Sequence, residues 1–184
     1  MIIGITGTLG AGKGTVVEYL KTKGFMHFSA RDVFNEEIAR RGLPPGRDSM
    51  VLVANEMRAK NGPGFFAQRA VAFAEETGKN IVAESIRSLG EAEYIQSHGG
   101  TLWAVDADIE KRYERITKRM SETDKVTFEK FKADEDLEMH NTDPAKQNIA
   151  GVMKMADAVL TNNSSQEELF TQVESALKNW GRLK

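Results

Sequence analysis

Gly7-Thr8-Leu9-Gly10-Ala11-Gly12-Lys13-Gly14-Thr15 is the most informative segment of the chain. It directly follows the apolar run 1–6, which predicts a strand, and it precedes Val16, Val17 and Leu20, whose spacing predicts a helix. Glycines let the backbone curl tightly enough for several N–H groups to point inward, and the next helix presents the positive end of its dipole there. The segment therefore predicts a phosphate-binding loop between the first strand and the first helix.

Lys13 indicates which phosphate the loop binds, because a lysine at this place reaches along the β- and γ-phosphates of a nucleoside triphosphate. The usual pattern places a serine or threonine directly after the lysine as a magnesium ligand. Here Gly14 takes that place and Thr15 follows one step later, so Thr15 is a displaced candidate for the metal-binding hydroxyl. The residues expected to bind the nucleotide are Gly10, Ala11, Gly12, Lys13, Gly14 and Thr15.

Short apolar runs alternate with longer amphipathic stretches along the chain, as is typical of a parallel sheet covered by helices. Further strands are predicted at 24–28, 80–84, 101–105 and 157–161, and their nearly continuous apolar character indicates burial on both faces. Helices are predicted from about residue 29 to 41, over 48–60, 65–77 and 108–120, and after Ser165. The sequence thus predicts an α/β fold with a helical insertion between the second and third strands.

Composition excludes several other classes of protein. The 184 residues suit one domain, 1–184, and the 25 basic and 27 acidic side chains nearly cancel, which disfavours a nucleic-acid partner. The absence of cysteine excludes disulfides, thiolate metal sites and a cysteine nucleophile. No run approaches the roughly 18 apolar residues of a membrane span, so we expect a cytoplasmic protein without a membrane partner.

The Gly-Lys-Gly-Thr form of the loop resembles that of P-loop nucleoside monophosphate kinases of the adenylate kinase type. Ser29-Ala30-Arg31-Asp32 resembles their acceptor-side Ser-Thr-Gly-Asp segment, and Glu84-Ser85-Ile86-Arg87 is similar to their Asp-Gly-Phe-Pro-Arg segment, shortened by one residue. The tail 156–169 looks more like that of dephospho-CoA kinases and archaeal kinase-like proteins related to them. The resemblance implies a three-layer P-loop kinase fold with five parallel strands, an acceptor-binding helical insertion at about 31–78 and a lid at about 120–145.

Phosphoryl transfer needs cationic clamps and a carboxylate for the metal. Arg87 follows a strand, where ligands of parallel sheets bind, and is the expected clamp for the acceptor phosphate. Glu84 would orient magnesium through water, or alternatively it is an acid at a helix N-terminus. Further acceptor-side candidates are Ser29, Arg31, Arg58 and Arg69, although each arginine is equally consistent with a surface position.

Arg112, Arg115 and Arg119 share one face of the predicted helix 108–120 and could close over the triphosphate, or that face is simply solvated. The resemblance implies that Arg119 is a lid arginine that contacts ATP and takes part in catalysis. The lid region also carries an excess of acids, most of which we expect to face solvent: Asp124, Glu129, Asp134, Glu135, Asp136 and Glu138.

The role of Asp32 depends on which acceptor the protein uses. It would accept a proton from a sugar hydroxyl acceptor, would organise water, metal or Arg31 for a phosphate acceptor, or would merely cap a helix. The sequence predicts a small-molecule kinase that uses ATP and Mg²⁺ and acts on a nucleotide or nucleotide-like acceptor. A (deoxy)nucleoside monophosphate kinase is favoured by Gly14-Thr15 and a dephospho-CoA kinase by the tail. A slow ATPase that works as a nucleotide-binding switch or assembly factor is the third alternative.

Overall fold

The computed structural model describes residues 1–119 and 126–182. The strands are β1 (Ile2–Gly7), β2 (Met26–Ser29), β3 (Ile81–Glu84), β4 (Thr101–Asp106) and β5 (Ala158–Thr161). The helices in this part of the chain are α1 (Lys13–Thr22), α2 (Ala30–Arg41), α3 (Arg47–Asn61), α4 (Phe65–Thr77), α5 (Leu89–Ser97), α6 (Ile109–Arg119), α7 (Phe128–Met139), α8 (Ile149–Lys154) and α9 (Gln166–Arg182). All five predicted strands are confirmed, each with its ends shifted by two residues or fewer.

Across the described residues the strands form one five-stranded sheet in the order β2-β3-β1-β4-β5, and every neighbouring pair is parallel. Parallel pairing requires crossover connections, which the helices supply. The strand order reverses at β1, and in open parallel sheets ligands bind beyond the carboxyl ends of the strands at such a point. The phosphate loop therefore lies at the position that the topology favours for a ligand.

Helices cover both faces of the sheet. On one face α1 and α9 pack against a core that includes Ile3, Val16 and Trp103. On the other face α4, α5 and α8 enclose a second core. The prediction of burial on both faces is correct for β1, β3 and β4 but wrong for the edge strands β2 and β5, where Val159 is 59% exposed. Edge strands have one neighbour, and the flanking helices cover them incompletely.

Helix starts follow from local side-chain chemistry. Ser88 forms a capping box with Glu91 and begins α5, a helix that the periodicity did not indicate. The Thr127 hydroxyl accepts a hydrogen bond from the Lys130 N–H (3.2 Å) and begins α7. Ser29 occupies the N-cap position of α2, yet its side chain makes no capping hydrogen bond, which leaves the hydroxyl available to the adjoining cavity.

Helices occupy the segments that were predicted as an insertion and, in its described part, as a lid. Helices α2, α3 and α4 all lie between β2 and β3, and they share an apolar cluster around Phe34, Val53 and Phe66. Helix α7 falls within the predicted lid and packs through Phe131, which is buried against Tyr113 of α6. The start of the lid, 120–125, lies outside the described residues and includes Asp124. In the described ranges no helix is both long and apolar enough to span a membrane.

Candidate functional site

The phosphate loop connects β1 to α1, and its backbone requires glycine at three positions, Gly7, Gly10 and Gly12. Gly7 and Gly12 have φ of 130° and 103°, in the region that favours glycine. A Cβ on Gly7 would lie 1.9 Å from the Val105 carbonyl oxygen, and one on Gly12 would lie 2.2 Å from Asn162 Nδ2. The Asn162 amide also donates to the Ala11 carbonyl (2.8 Å), so the segment after β5 is hydrogen-bonded to the loop.

Lys13 is the first residue of α1 and is only 8% exposed. Its ammonium folds back onto the loop and donates to the carbonyls of Gly7 (2.9 Å) and Thr8 (2.7 Å). Burial lowers the pKa of Lys13 from 10.5 to about 7; the charge of Arg87 adds to the shift, and the charge of Glu84 opposes it. In the ligand-free protein Lys13 is therefore partly neutral, and a bound anion would raise its pKa and favour the protonated form.

A cavity of about 460 Å³ opens beside the loop and collects most of the predicted site residues. It is strongly cationic, since the basic residues that line it are Lys13, Arg31, Arg47, Arg58, Arg87, Arg115 and Arg119, whereas its carboxylates are Glu84 and Glu138. Gly10, Gly12, Gly14, Thr15 and Ser29 also line it. The fold thus brings the loop, the ends of two strands and the helical insertion to one space.

Glu84 ends β3, and its carboxylate lies 3.4 Å from His27 Nε2 on the neighbouring strand. Burial raises the pKa of Glu84, but the imidazole of His27 and the ammonium of Lys13 outweigh it, and the net shift is downward. Ser85 follows with a φ of 71°. In the described ranges it is the only residue other than glycine that has a positive φ. Holding a residue in this strained backbone conformation costs about 1–3 kcal/mol, and such conformations are typical of functional sites.

Arg87 and Arg47 hold one carboxylate between them. Arg47 Nη2 donates to Glu138 Oε1 at 2.6 Å, and Arg87 Nη1 lies 3.4 Å from Glu138 Oε2. Arg87 Nη1 also donates to Gln147 Oε1 at 3.1 Å. Glu138 comes from α7, so an acid of the lid region occupies the space between two arginines of the cavity.

The expectation that most lid acids face solvent is wrong for Glu135 and Glu138. Glu135 forms an ion pair with Arg112, and Glu138 pairs with the two cavity arginines. The cause is the packing of α7 onto α6 through Phe131, which turns this side of α7 inward. Arg112 is therefore buried in that pair and does not line the cavity, whereas Arg115 and Arg119 do.

Arg58 lines the cavity from α3 although it is only 1% exposed. Its Nε donates to Glu91 Oε1 at 2.7 Å, while the other oxygen of Glu91 accepts hydrogen bonds from the N–H groups of Arg87 and Ser88. The Nη1 atom of Arg58 is buried without a hydrogen-bond partner. A fixed guanidinium with an unused donor is suited to binding an anion.

Arg115 of α6 shows the same feature and lines the same cavity. Its Nη2 donates to the Asn162 carbonyl at 2.7 Å, and its Nη1 is buried without a hydrogen-bond partner. Asn162 thus connects the loop to α6, since it bonds Ala11 through its side chain and Arg115 through its backbone.

Besides Arg112, three of the predicted residues do not line the cavity. Asp32 is exposed in the first turn of α2. Arg69 is exposed on α4, with its guanidinium 5.9 Å from the ring centre of Phe65. Ala11 is fully buried and contributes its carbonyl to the Asn162 contact. The roles assigned to Asp32 and Arg69 stay predictions.

Several residues of the site were missed as site residues, among them Arg47, Glu138 and Asn162. Arg47 follows the Gly-Leu-Pro-Pro-Gly break and resembles any other charge at a helix start, and Glu138 is one acid among several. Asn162 lies in the tail segment that resembles dephospho-CoA kinases, which is the signal that could have identified it.

The residues that could hold magnesium are few but sufficient. Within residues 1–119 and 126–182, no three His, Cys, Asp or Glu side chains form a metal-binding cluster. Magnesium at a nucleotide site keeps several waters and takes one or two protein oxygens together with phosphate oxygens. The Thr15 hydroxyl and the Glu84 carboxylate line the same cavity and match that requirement.

Sequence comparison with known proteins identifies the family to which the chain belongs. A family model described as AAA domain matches residues 3–141. The chain is 34% identical to the UPF0200 protein of Sulfurisphaera tokodaii, with 96% of each chain covered. It is 30% identical to the UPF0200 protein of Methanocaldococcus jannaschii, with 97% of this chain and 89% of that protein covered.

Solved structures share the fold at low sequence identity. Shikimate kinase from Aquifex aeolicus superposes with a TM-score of 0.54 at 17% identity and 97% coverage of both chains. The protein TT1252 from Thermus thermophilus superposes with a TM-score of 0.59 at 23% identity, again with 97% of both chains covered. At these identities the comparison shows the fold, which is that of P-loop kinases.

Proposed function

The chain belongs to the AAA-domain family and to that of the UPF0200 proteins, and on this premise we propose that it is a cytoplasmic small-molecule kinase. It would transfer the γ-phosphoryl group of ATP, with Mg²⁺, to a (deoxy)nucleoside monophosphate or a similar anionic acceptor. The observation that carries the proposal is one cavity in which a phosphate loop with its lysine faces a separate group of arginines. Two anionic substrates that react with each other need such an arrangement.

On the donor side, the loop N–H groups and Lys13 would bind the phosphates, and Arg115 and Arg119 would neutralise charge from α6. The Nη1 atom of Arg115 has no hydrogen-bond partner and is thus available to a phosphate oxygen. Thr15 and Glu84 would hold magnesium, the second through water, and the metal would offset charge on the β- and γ-phosphates.

On the acceptor side, Arg31, Arg47, Arg58 and Arg87 line the cavity, and Glu138 is the acid among them. Arg58 is neutralised by Glu91, yet its Nη1 remains without a partner. The excess of positive charge supports an acceptor that brings its own negative charge, as a phosphate monoester does. Arg87 would clamp that phosphate, since it follows the strand next to β1.

A phosphate acceptor is preferred to a sugar hydroxyl because of where Asp32 lies. A hydroxyl acceptor benefits from a general base within hydrogen-bond reach, whereas a phosphate oxygen is already ionised. Asp32, the candidate base, is exposed and does not line the cavity. A dephospho-CoA kinase that used Asp32 as its base would therefore require a movement of α2.

A slow ATPase that works as a switch is the second candidate, and Glu138 favours it. This carboxylate already pairs with Arg47 and Arg87, the arginines assigned here to the acceptor. An enzyme whose acceptor site is filled by its own side chain could hydrolyse ATP without transferring phosphate to a small molecule.

A phosphorus NMR screen tests the proposal. ATP, Mg²⁺ and the protein are mixed in turn with each ribo- and deoxynucleoside monophosphate and with dephospho-CoA. A nucleoside diphosphate made from the added acceptor, without an equivalent of inorganic phosphate, supports the monophosphate kinase if it disappears with Lys13→Ala. A new phosphomonoester on CoA indicates the hydroxyl alternative. Equal amounts of ADP and inorganic phosphate, with no acceptor phosphorylated, indicate the switch.

A further inference from the structure

A second cavity, also of about 460 Å³, lies between α3 and α7 and adjoins the first. Arg47, Val51, Glu138 and Gln147 line both cavities, so the Arg47–Glu138 ion pair stands at their junction. Each volume lies within the roughly 300–1,000 Å³ typical of ligand pockets. A molecule with a charged end and an uncharged body could place the two parts on either side of this ion pair.

The side cavity combines apolar surface with hydrogen-bonding groups. Its apolar part includes Leu52 and Leu137, which are 49% and 74% exposed. Large aliphatic side chains left open at the mouth of a cavity are suited to covering the faces of a planar ring. Such a lining matches an organic ring better than a second phosphate.

Asn55 carries the specific signal. It lines the side cavity, and its Oδ1 is buried without a hydrogen-bond donor. The neighbouring amide of Asn141, in contrast, donates to the carbonyls of Leu137 (2.7 Å) and Gln147 (2.9 Å). An unpaired buried acceptor costs free energy that a ligand donor would recover, so Asn55 is the group in this cavity that a ligand would satisfy.

We propose that the side cavity binds the heterocyclic base of the acceptor and that Asn55 recognises an exocyclic amine on it. The inference rests on the proposed kinase function and assigns its acceptor class: a nucleotide with adenine or cytosine in preference to uracil. An asparagine amide accepts from the N6 amine of adenine or the N4 amine of cytosine, whereas uracil presents a carbonyl oxygen there. The phosphate of the same molecule takes the place of the Glu138 carboxylate between Arg47 and Arg87.

Displacement of Glu138 is favourable on charge grounds. A phosphate monoester brings up to two negative charges to Arg47 and Arg87, where the Glu138 carboxylate brings one. Because Arg47 and Glu138 line both cavities, the ligand that spans them must part this ion pair. Binding of the base in the side cavity would therefore require the Glu138 carboxylate to leave Arg47.

Equilibrium binding tests the inference without relying on turnover. The dissociation constants of adenosine, cytidine and uridine monophosphate are measured calorimetrically for the wild type, for Asn55→Leu and for Asn61→Ala. Asn61 is the matched control, because it ends the same helix and bonds Met57 of that helix (2.8 Å), and it lines neither cavity. Unchanged Mg·ATP binding by Asn55→Leu shows that the variant is folded.

The expected result is a loss of about tenfold or more for the adenine and cytosine nucleotides with Asn55→Leu. Uridine monophosphate should change little, and Asn61→Ala should leave all three constants unchanged. Equal effects on the three nucleotides, no effect, or no binding of any of them to the wild type would overturn the inference. Selective binding without phosphoryl transfer would uphold it and would count against the kinase proposal alone.

Discussion

Binding of Mg·ATP should draw a proton from solution onto Lys13. Burial lowers the pKa of Lys13 to about 7 in the ligand-free protein, so close to half of the molecules carry the neutral amine at pH 7. Phosphate oxygens beside the nitrogen favour the charged form and raise this pKa. The bound state is then fully protonated, and binding at pH 7 takes up about half a proton.

The same shift gives the pH dependence of affinity. The charged fraction of Lys13 follows from its pKa and falls from about nine-tenths at pH 6 to about one-tenth at pH 8. If the triphosphate binds the charged form, its affinity weakens by about tenfold over this interval. The loss occurs as the pH rises, because it is the cation that binds.

Isothermal titration calorimetry measures both quantities. Titrations are run at pH 7 in two buffers with different ionisation enthalpies, with magnesium in excess, and the affinity is followed from pH 6 to 8. Lys13→Arg is the control, since its guanidinium stays charged throughout and should abolish the proton uptake. Equal heats in both buffers and an affinity that does not change with pH would refute the reasoning for Lys13.

Three further outcomes are expected. Between pH 7 and 10.5 the unfolded chain binds a proton on Lys13 that the folded chain has lost, so the free energy of unfolding of the ligand-free protein rises with pH in this range. Lys13→Met removes this cost and should raise the free energy of unfolding at pH 7, measured with urea, by as much as about 4 kcal/mol. The same variant should abolish turnover. Glu138→Gln should lower the acceptor KM about three- to tenfold by freeing the two arginines, whereas Asp136→Asn on the same helix should not; an increased KM would show that Glu138 assists binding. Gly12→Ala should lower the thermal midpoint because of its φ of 103° and the Asn162 amide, but Gly14→Ala, with no atom within 4 Å of its Cβ, should not.

Local signals in the sequence were enough for much of the fold. The strand, glycine loop and helix at the start of the chain are contiguous, so the phosphate loop could be recognised from a few neighbouring residues. Helix α4 was predicted with both ends correct, because Gly64 and Gly78 bound its apolar spacing. Helix α5 was missed because its apolar stripe is short, although Ser88 and Glu91 carried the capping signal.

The missed parts of the site depend on contacts between distant residues. Arg47 and Glu138 are 91 residues apart, and nothing near either of them indicates the pairing. The Asn162 amide reaches a carbonyl 151 residues away, which requires β5 to lie on the same side of β1 as β4. Periodicity predicts that a strand exists but not which strand it pairs with, so it could not place these side chains in the cavity.

Transfer of labelled phosphate shows whether this protein is a kinase for nucleoside monophosphates. The protein is incubated with γ-³²P-labelled ATP, Mg²⁺ and the nucleoside monophosphates, and the labelled products are separated. We expect the label to move to a nucleotide acceptor with the wild type and to stay on ATP with Lys13→Ala. Label that remains on ATP, or that appears only as inorganic phosphate, with folded wild-type protein would contradict this expectation.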